Sequence, residues 1–384
     1  IDGVEVNPQK GQTILQAALD HGIYIPYLCY FPKMKPYGAC RACLVEVEAN
    51  GRKMLVASCT TPPTPDSSVS TNNEEVTDLR KNVIELLMTE HPHGCLTCHR
   101  IELCGPQDIC QRHVSVTDRC TICPKNERCE LKDTVRRVEL DLRTPLNYHR
   151  RNLPVHTDDP FYDRDYNLCI VCARCVRVCE EIRFDSALTL TSRSGVALVG
   201  TAHGTSLLES GCEFCGACVD VCPTGALVER KYKWEKAVKQ IKTTCTNCPV
   251  GCQMVAEVNK FDKVIRFKGD IEGKTNNGQA CFMGKFGYDY SNSKKRLKKP
   301  YIRQDGILKN LSIKEAVQHI NDEIKDFDPN EIAIVTGSRN TNEDVYVASR
   351  YADEVIGTKN LMSTTNDLSD ISNRLINNFG RDYS

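Results

Sequence analysis

Apolar and polar residues alternate in three short stretches near the amino terminus: Val4 to Val6, Leu44 to Val47 and Met54 to Ala57. A period of two predicts strands there. Between the first two, Thr13 to His21 is patterned as a helix. Val76, Leu79, Val83, Leu86 and Leu87 recur at helical spacing and predict an amphipathic helix over Glu75 to Met88. Thr60 to Ser70, which contains three prolines, reads as a linker. Far downstream, Ser312 and Glu315 form a capping box that should start a helix. Ile332 to Thr336 reads as a buried strand, and Gly337 turns into a helix from about Asn342, which makes a strand–helix unit of an α/β domain. No apolar run is long enough to span a bilayer.

The chain has 384 residues, enough for about two to four domains. Its 50 basic and 50 acidic residues cancel, which argues against a nucleic-acid binder, whose affinity comes from neutralised phosphates. Ile1 at the start and Ser384 in mid-pattern leave room for a longer product and a removed targeting segment. The outlying number is 23 cysteines. An oxidised secreted protein would pair them, but the count is odd and most fall in tight C-x2-C groups. Such neighbours are poorly placed to bridge one another and well placed to point thiolates at one metal centre. Reduced, metal-holding cysteines predict a cytoplasmic location.

Cys169, Cys172, Cys175 and Cys179 read C-x2-C-x2-C-x3-C, and Cys212, Cys215, Cys218 and Cys222 repeat the pattern ahead of Pro223. This is the two-cluster bacterial ferredoxin run, in which three thiolates of each run surround one 4Fe–4S cluster and the fourth reaches the other. The expected sets are Cys169, Cys172, Cys175 with Cys222, and Cys212, Cys215, Cys218 with Cys179. The fourth cysteine is expected to start the helix that follows each loop. Zinc would show separate four-ligand sites with variable loops between pairs.

Other groups are read through likeness to known families. Cys29, Cys40, Cys43 and Cys59 lie in a segment, IDGVEVNPQKGQTILQAALDHGIYIPYLC onward, that resembles the 2Fe–2S domain of complex I's large iron–sulfur subunit and its relatives. The resemblance implies a β-grasp ferredoxin fold and makes those four cysteines the 2Fe–2S ligands; a zinc knuckle is the competing reading. HPHGCLTCHRIELCGPQD resembles the same family's 4Fe–4S site with one histidine, which implies His91, Cys95, Cys98 and Cys104 as ligands. An imidazole in place of a thiolate should raise the potential, as in Rieske centres. His93 and His99 are nearby, but the family's ligand precedes proline, as His91 does.

CTICPKNERCELKD then echoes CLTCHRIELCGPQD, a departure from the ordinary family pattern. An added 4Fe–4S site follows, with Cys110, Cys120, Cys123 and Cys129. His113 competes with Cys110 for the fourth place, and zinc competes with a cluster as the occupant. Finally, Cys245, Cys248, Cys252 and Cys281, in TTCTNCPVGCQMVAEVN and GQACFMGKFGYDY, resemble the 4Fe–4S domain that opens molybdopterin-dependent formate dehydrogenases and nitrate reductases. Six sites of four ligands are thereby filled by 23 cysteines and His91.

Taken together, the expected fold is α+β and multi-modular. It comprises a β-grasp 2Fe–2S ferredoxin at 1–72 and a helical histidine-ligated module with an added 4Fe–4S site at 73–148. A two-cluster ferredoxin follows at 149–236, then a small 4Fe–4S domain at 237–295 and a truncated α/β domain at 296–384. Met283 occupies the position where pterin-dependent formate dehydrogenases carry a lysine, with Lys285 two places late. STTNDLSDISNRL lacks the cysteine or selenocysteine that holds their metal, so no molybdopterin is expected in this chain. No G-x-G-x-x-G fingerprint appears, which assigns FMN and NAD to a partner. His149, His156 and His203 lack a nucleophile's pattern and read as structural. The basic run Lys294, Lys295, Arg296, Lys298 and Lys299 reads as a solvated connection, with docking of an acidic ferredoxin as the alternative.

The resemblance implies an electron-transfer subunit of an NAD(P)-linked complex, a hydrogenase or formate dehydrogenase, with no catalytic residue of its own. Its expected partners are a flavin- and NADH-binding subunit, a small 2Fe–2S subunit, a catalytic subunit and ferredoxin, and so many branches are compatible with electron bifurcation. The rival readings are a truncated catalytic subunit of a molybdenum or tungsten formate dehydrogenase, and a scaffold with partly empty sites.

Overall fold

A computed structural model describes residues 1–101, 103–105, 107–110, 119–140, 146–192, 195–337 and 339–364. His113 and the stretch from 365 onward lie outside the described residues. The chain divides into two compact units, Ile1–Val238 and Lys239–Ser384.

In the first unit, α1 (Ile14–Asp20) opens on a capping box in which Thr13 and Gln16 satisfy each other's backbone N–H groups. It packs Ile14, Leu15 and Ala18 on a three-stranded antiparallel sheet of order β2-β1-β3, with β1 Leu44–Ala49, β2 Arg52–Ala57 and β3 Ser68–Ser70. Val45 and Val47 of β1 point into this core while Glu46 and Glu48 point away, the alternation that a half-buried strand requires. The expected strand at Val4 to Val6 does not form. Asp2 donates its N–H to the Val69 carbonyl and binds Thr71 through its carboxylate; with Asp2 and Gly3 both at positive φ, the chain turns away from the sheet.

Helix α2 (Glu74–Met88) is capped by Asn73, which accepts the Val76 N–H at 2.9 Å. Its buried stripe is Val76, Arg80, Ile84 and Met88; of the apolar face expected from sequence only Val76 is buried, Leu79, Val83 and Leu87 are half-buried and Leu86 is exposed. Arg80 explains the rotation, because its guanidinium turns inward to the carbonyls of Thr71 and Leu44 and ties α2 to the sheet. Helix α3 (Glu130–Arg137) follows the second cysteine triplet. The two-cluster region then contains β4 (Tyr162–Arg164) paired with β7 (Leu227–Glu229), β5 (Thr189–Thr191) with β6 (Leu198–Gly200), and helices α4 (Arg174–Arg177) and α5 (Ala217–Val221).

One apolar core joins these modules. It gathers Leu28, Cys29 and Ala42 from the first, Ile84, Met88, Leu96, Cys129, Leu131 and Val135 from the second, and Ile170 and Cys172 from the third. Full burial of each such aliphatic side chain contributes about 1.5–3 kcal/mol, so the modules form a single body rather than beads on a linker.

In the second unit, β8 (Lys239–Thr244), β9 (Gln253–Val258) and β10 (Val264–Gly269) form an antiparallel sheet of order β10-β9-β8, followed by α6 (Phe282–Phe286) and α7 (Asp289–Asn292). A hairpin of β11 (Tyr301–Gln304) and β12 (Ile307–Asn310) precedes α8 (Ile313–Ile324), whose Ser312–Glu315 capping box is present as expected. Strands β13 (Ile334–Thr336) and β14 (Leu361–Ser363) are parallel, with α9 (Asn342–Arg350) between them, so the strand–helix unit forms as anticipated, but β13 is not the buried strand expected: Val335 is exposed. Among the described residues, no helix is long and apolar enough to cross a membrane.

The sheet of the second unit contains a buried charge cluster: Glu257 is paired with Arg266 at 2.6 Å and Lys268 at 2.5 Å. Burial works to raise the Glu257 pKa, but the two cations outweigh it and hold it at about 2. The group is therefore depressed on folding, so its stabilisation is present above the ordinary carboxylate range and is lost as pH falls toward 2. Glu257→Gln should cost about 3–5 kcal/mol at neutral pH by removing the carboxylate that faces the buried Arg266 and the half-buried Lys268. Urea unfolding at pH 7 and pH 3 should show the gap between wild type and variant narrowing at the lower pH.

Candidate metal centres

All 23 cysteines are free thiols, and they gather into neighbourhoods. Cys29, Cys40, Cys43 and Cys59 form the first, on the loop between α1 and β1 and at the end of β2. Cys29 and Cys40 exchange backbone N–H···S contacts of 3.4 and 3.5 Å. Hydrogen bonds from the Cys40 and Cys59 thiols hold Cys29 below the usual thiol value, while those with Cys29 and Cys43 push Cys59 above it. Thiol contacts thus link Cys40 to Cys29, Cys29 to Cys59 and Cys59 to Cys43.

The two ferredoxin-type loops share one backbone design. In the first, Val171 and Ala173 have φ of 52° and 60°; in the second, Phe214 and Gly216 have 52° and 74°. Left-handed residues at the second and fourth positions after the leading cysteine turn successive N–H groups inward, the geometry of an anion-binding nest. Accordingly, Val171 N–H points at Cys169 Sγ and Phe214 N–H at Cys212 Sγ, each at 3.3 Å. A β-branched residue such as Val171 rarely accepts this conformation, so the strain marks a site where the backbone serves a ligand.

The third cysteine of each run, not the fourth, stands at the start of the helix. Cys175 is the second residue of α4 and Cys218 of α5. Cys179 sits in a π-helical turn, Val178–Ile182, that extends α4, and Cys222 caps the end of α5 before Pro223. The crosswise grouping follows. Burial, then the thiolates of Cys172, Cys222 and Cys169, pushes Cys175 well up; burial, then Cys215, Cys212 and Cys179, does the same to Cys218. Cys218 also acts on Cys175, so the two groups adjoin.

Sequence reasoning missed the arginines that hold these loops. Arg174 has 0% exposure, pairs with Glu130 of α3 at 2.8 Å and stacks 5.6 Å from the Phe31 ring. Its Nε and Nη2 have no hydrogen-bond partner among the described residues. Beside Cys172, such orphaned donors fit the sulfides of a bound cluster. Arg177 donates to the Cys29 carbonyl at 3.4 Å and to Lys35, and pairs with Glu181. Arg151 donates to the Cys169 carbonyl at 2.7 Å and pairs with Glu90. The only forewarning in the sequence was that arginines lie beside the cysteines.

His91 is buried a few residues past the end of α2. Its Nδ1 lies 2.8 Å from the Pro92 carbonyl, which can only accept; Nδ1 therefore carries the proton and Nε2 keeps a lone pair, the ligating tautomer. Burial, with help from Arg151, lowers its pKa to about 4, so the imidazole is neutral at pH 7. His93 is instead packed edge-on against Tyr148. Around His91, a cavity of about 260 Å³ is lined by Cys120, Cys123 and Cys129. Cys95 reaches Cys120 by a hydrogen bond between the thiols. The structure brings neither Cys98 nor Cys104 to that cavity.

In the second unit, Cys245, Cys248 and Cys252 lie on the turn between β8 and β9, and Cys281 precedes α6. Cys245 N–H donates to the Cys252 carbonyl at 2.8 Å, and the thiolates of Cys245, Cys248 and Cys281 all act on Cys252. Gly284 lies beside them, close enough that a Cβ there would stand 3.4 Å from Cys245 Sγ. Lys285 is fully buried on α6, and Met283 is partly exposed. Among the described residues, no three of His, Cys, Asp or Glu stand close enough to share one metal ion.

The arginine anchors give a test. Arg177→Met keeps the length and apolar stem but leaves the Cys29 and Lys35 carbonyls without their donor. A loss of about 1–3 kcal/mol in chemical denaturation is expected, with a broadened signal from the Cys29 site and unchanged iron content.

Known families match in the same order along the chain. Residues 1–74 match the 2Fe-2S iron-sulfur cluster binding domain, and 80–115 match the NADH-ubiquinone oxidoreductase-G iron-sulfur binding region. Residues 159–228 match the ferredoxin-like domain of NADH-quinone oxidoreductase subunit 3. Residues 238–293 match the molybdopterin oxidoreductase Fe4S4 domain, and 296–381 match molybdopterin oxidoreductase. The NADPH-Fe(3+) oxidoreductase subunit alpha of Geobacter sulfurreducens is 31% identical over 94% of this chain and 40% of its own length. A G-type NADH-quinone oxidoreductase subunit of Rhizobium meliloti is 30% identical over 94% of this chain and 39% of its own length. The chain thus spans about 40% of the length of these relatives. A chain of an NAD+-reducing [NiFe]-hydrogenase, solved in the H2-reduced state, aligns with a TM-score of 0.46 at 28% identity, covering 60% of this chain and 85% of that one. With its thiol groups in place and these matches in order, the chain carries the 2Fe–2S and 4Fe–4S modules of the G-type NADH-quinone oxidoreductase subunits, followed by molybdopterin oxidoreductase domains.

Proposed function

We propose that this chain is the electron-conducting subunit of a cytoplasmic, NAD(P)-linked, multi-subunit oxidoreductase, a hydrogenase or formate dehydrogenase complex, holding one 2Fe–2S and five 4Fe–4S clusters. The observation that carries the reading is the shared core: Cys29, Cys129 and Cys172, from three different modules, are buried in one apolar cluster, with Cys40 and Cys120 packed against it. Electron tunnelling falls steeply with distance, so ligands of separate centres that pack in one dry core favour conduction over independent storage. The domain limits read from the sequence, five modules ending at 72, 148, 236, 295 and 384, go with this proposal.

The protein's residues make and break no substrate bond in this reading. Bound clusters supply one-electron chemistry. The thiols and the His91 imidazole fix their positions, the nest N–H groups and Arg174 stabilise added negative charge, and the apolar walls exclude water. FMN and NAD belong to a partner like the flavoprotein of complex I, docked near the 2Fe–2S module or its histidine-ligated neighbour. A small 2Fe–2S subunit, a catalytic subunit and ferredoxin complete the set of exchange partners.

A second reading, a catalytic formate dehydrogenase subunit of which this is the leading part, is favoured by the molybdopterin oxidoreductase match at 296–381. Elemental analysis of the anaerobically purified complex separates the two. Conduction alone predicts about 22 irons per chain, from the 2Fe and 4Fe nuclearities, and no molybdenum or tungsten bound by it. Stoichiometric molybdenum or tungsten retained on this chain would establish the second reading, and iron far below that count would remove the first.

A further inference from the structure

The sequence places two C-x2-C-x5-C triplets after His91, and proximity along the chain favours the first: Cys95, Cys98 and Cys104. The fold favours the second. The cavity of about 260 Å³ has His91, Cys120, Cys123 and Cys129 in its wall, while Cys98, Cys104 and Cys110 are not among its lining residues. A volume many times a water's share of about 30 Å³, walled by Leu96, Leu168 and Val228 together with Lys132, Asp163 and Asp165, is too large to be a packing defect. Cys129 accepts the Lys132 N–H at 3.4 Å at the start of α3, and burial pushes its thiol up to about 12. The two-cluster module leaves room for Cys123 by placing Gly225 there, since a Cβ at that position would come within 2.6 Å of Cys123 Sγ. His91 presents an unprotonated Nε2, because its Nδ1 proton is committed to Pro92.

Building on the conducting role above, we propose that His91 closes a 4Fe–4S ligand set with Cys120, Cys123 and Cys129, and that Cys95, Cys98, Cys104 and Cys110 form a separate neighbouring set. The inserted segment then carries its own all-cysteine site instead of borrowing the histidine. Cys95 adjoins Cys120 from outside the cavity, so the two sites touch through that thiol pair. Along the chain the all-cysteine set flanks the exposed Leu103 and Ile109, while the cavity of the histidine set includes Leu168 and Gly225 of the ferredoxin-type module. The count of 24 ligands, 23 cysteines and one histidine, is unchanged by the exchange.

The test uses the full chain, purified anaerobically and reduced, with pulsed EPR reading nitrogen hyperfine coupling from a coordinating imidazole. Wild type should show one nitrogen-coupled 4Fe–4S signal that His91→Cys abolishes without loss of iron. Cys104→Ser should leave that coupling intact while another cluster signal is lost or altered; Cys123→Ser should remove it or change it strongly. The opposite response, coupling lost in Cys104→Ser and kept in Cys123→Ser, overturns the proposal. Should Cys123→Ser fail to fold, Gly225→Ala decides: a shifted nitrogen-coupled signal with the other signals unmoved supports the assignment, and an unmoved one overturns it. Full iron without nitrogen coupling in wild type overturns this ligand set but spares the conducting role, whereas iron far below about 22 per chain overturns both.

Discussion

Desolvation of thiols is the constraint on which the first unit is built. Cys172 is pushed up to about 12 and Cys169 to about 11, chiefly by burial, so without a metal these groups rest protonated in an apolar setting. Binding iron must displace those protons, and the gain from metal–thiolate bonds is then folding energy as well as binding energy. The protein offsets the residual charge locally, with Arg174 beside Cys172 and nest N–H groups beside Cys169 and Cys212. Neither device would be effective in water. Each depends on the core that Leu28, Ile84, Leu131 and Ile170 close around the sites.

That core also explains why buried arginines recur. Arg80, Arg151, Arg174 and Arg177 each reach across from one module to a backbone carbonyl or carboxylate of another segment. A guanidinium is a rigid donor fork, suited to holding a loop whose own N–H groups are turned toward sulfur and therefore cannot pair within the loop. The left-handed Val171 and Phe214 are held by this surrounding frame, and their strain is the cost of aiming amides at a ligand.

Much of this was legible in the sequence because cysteine spacing constrains geometry directly. The crosswise pairing of Cys179 with the second run and Cys222 with the first was read from spacing alone; in the structure Cys222 neighbours Cys175 and Cys179 neighbours Cys218. Helices α1, α2 and α8 were visible from caps and periodicity. What escaped notice depends on tertiary partners. The buried side of α2 turned because Arg80 found two carbonyls, and the Val4 to Val6 strand was lost to Asp2's pairing with Val69 and Thr71. Cys175 rather than Cys179 stands at the helix start because the loop needs two left-handed residues first. His91 was found by likeness, which paired it with the first of two equivalent triplets, whereas the cavity beside it is lined by the second.

The claim that these modules form one conductor turns on magnetic contact between centres. Spin relaxation of the reduced Cys29-site signal should quicken as the neighbouring 4Fe–4S centres are reduced, and Cys172→Ser should weaken that effect while leaving the 2Fe–2S signal itself in place. A relaxation rate indifferent to the redox state of the other centres would mean that the shared core is mere packing, and the conducting role would fall.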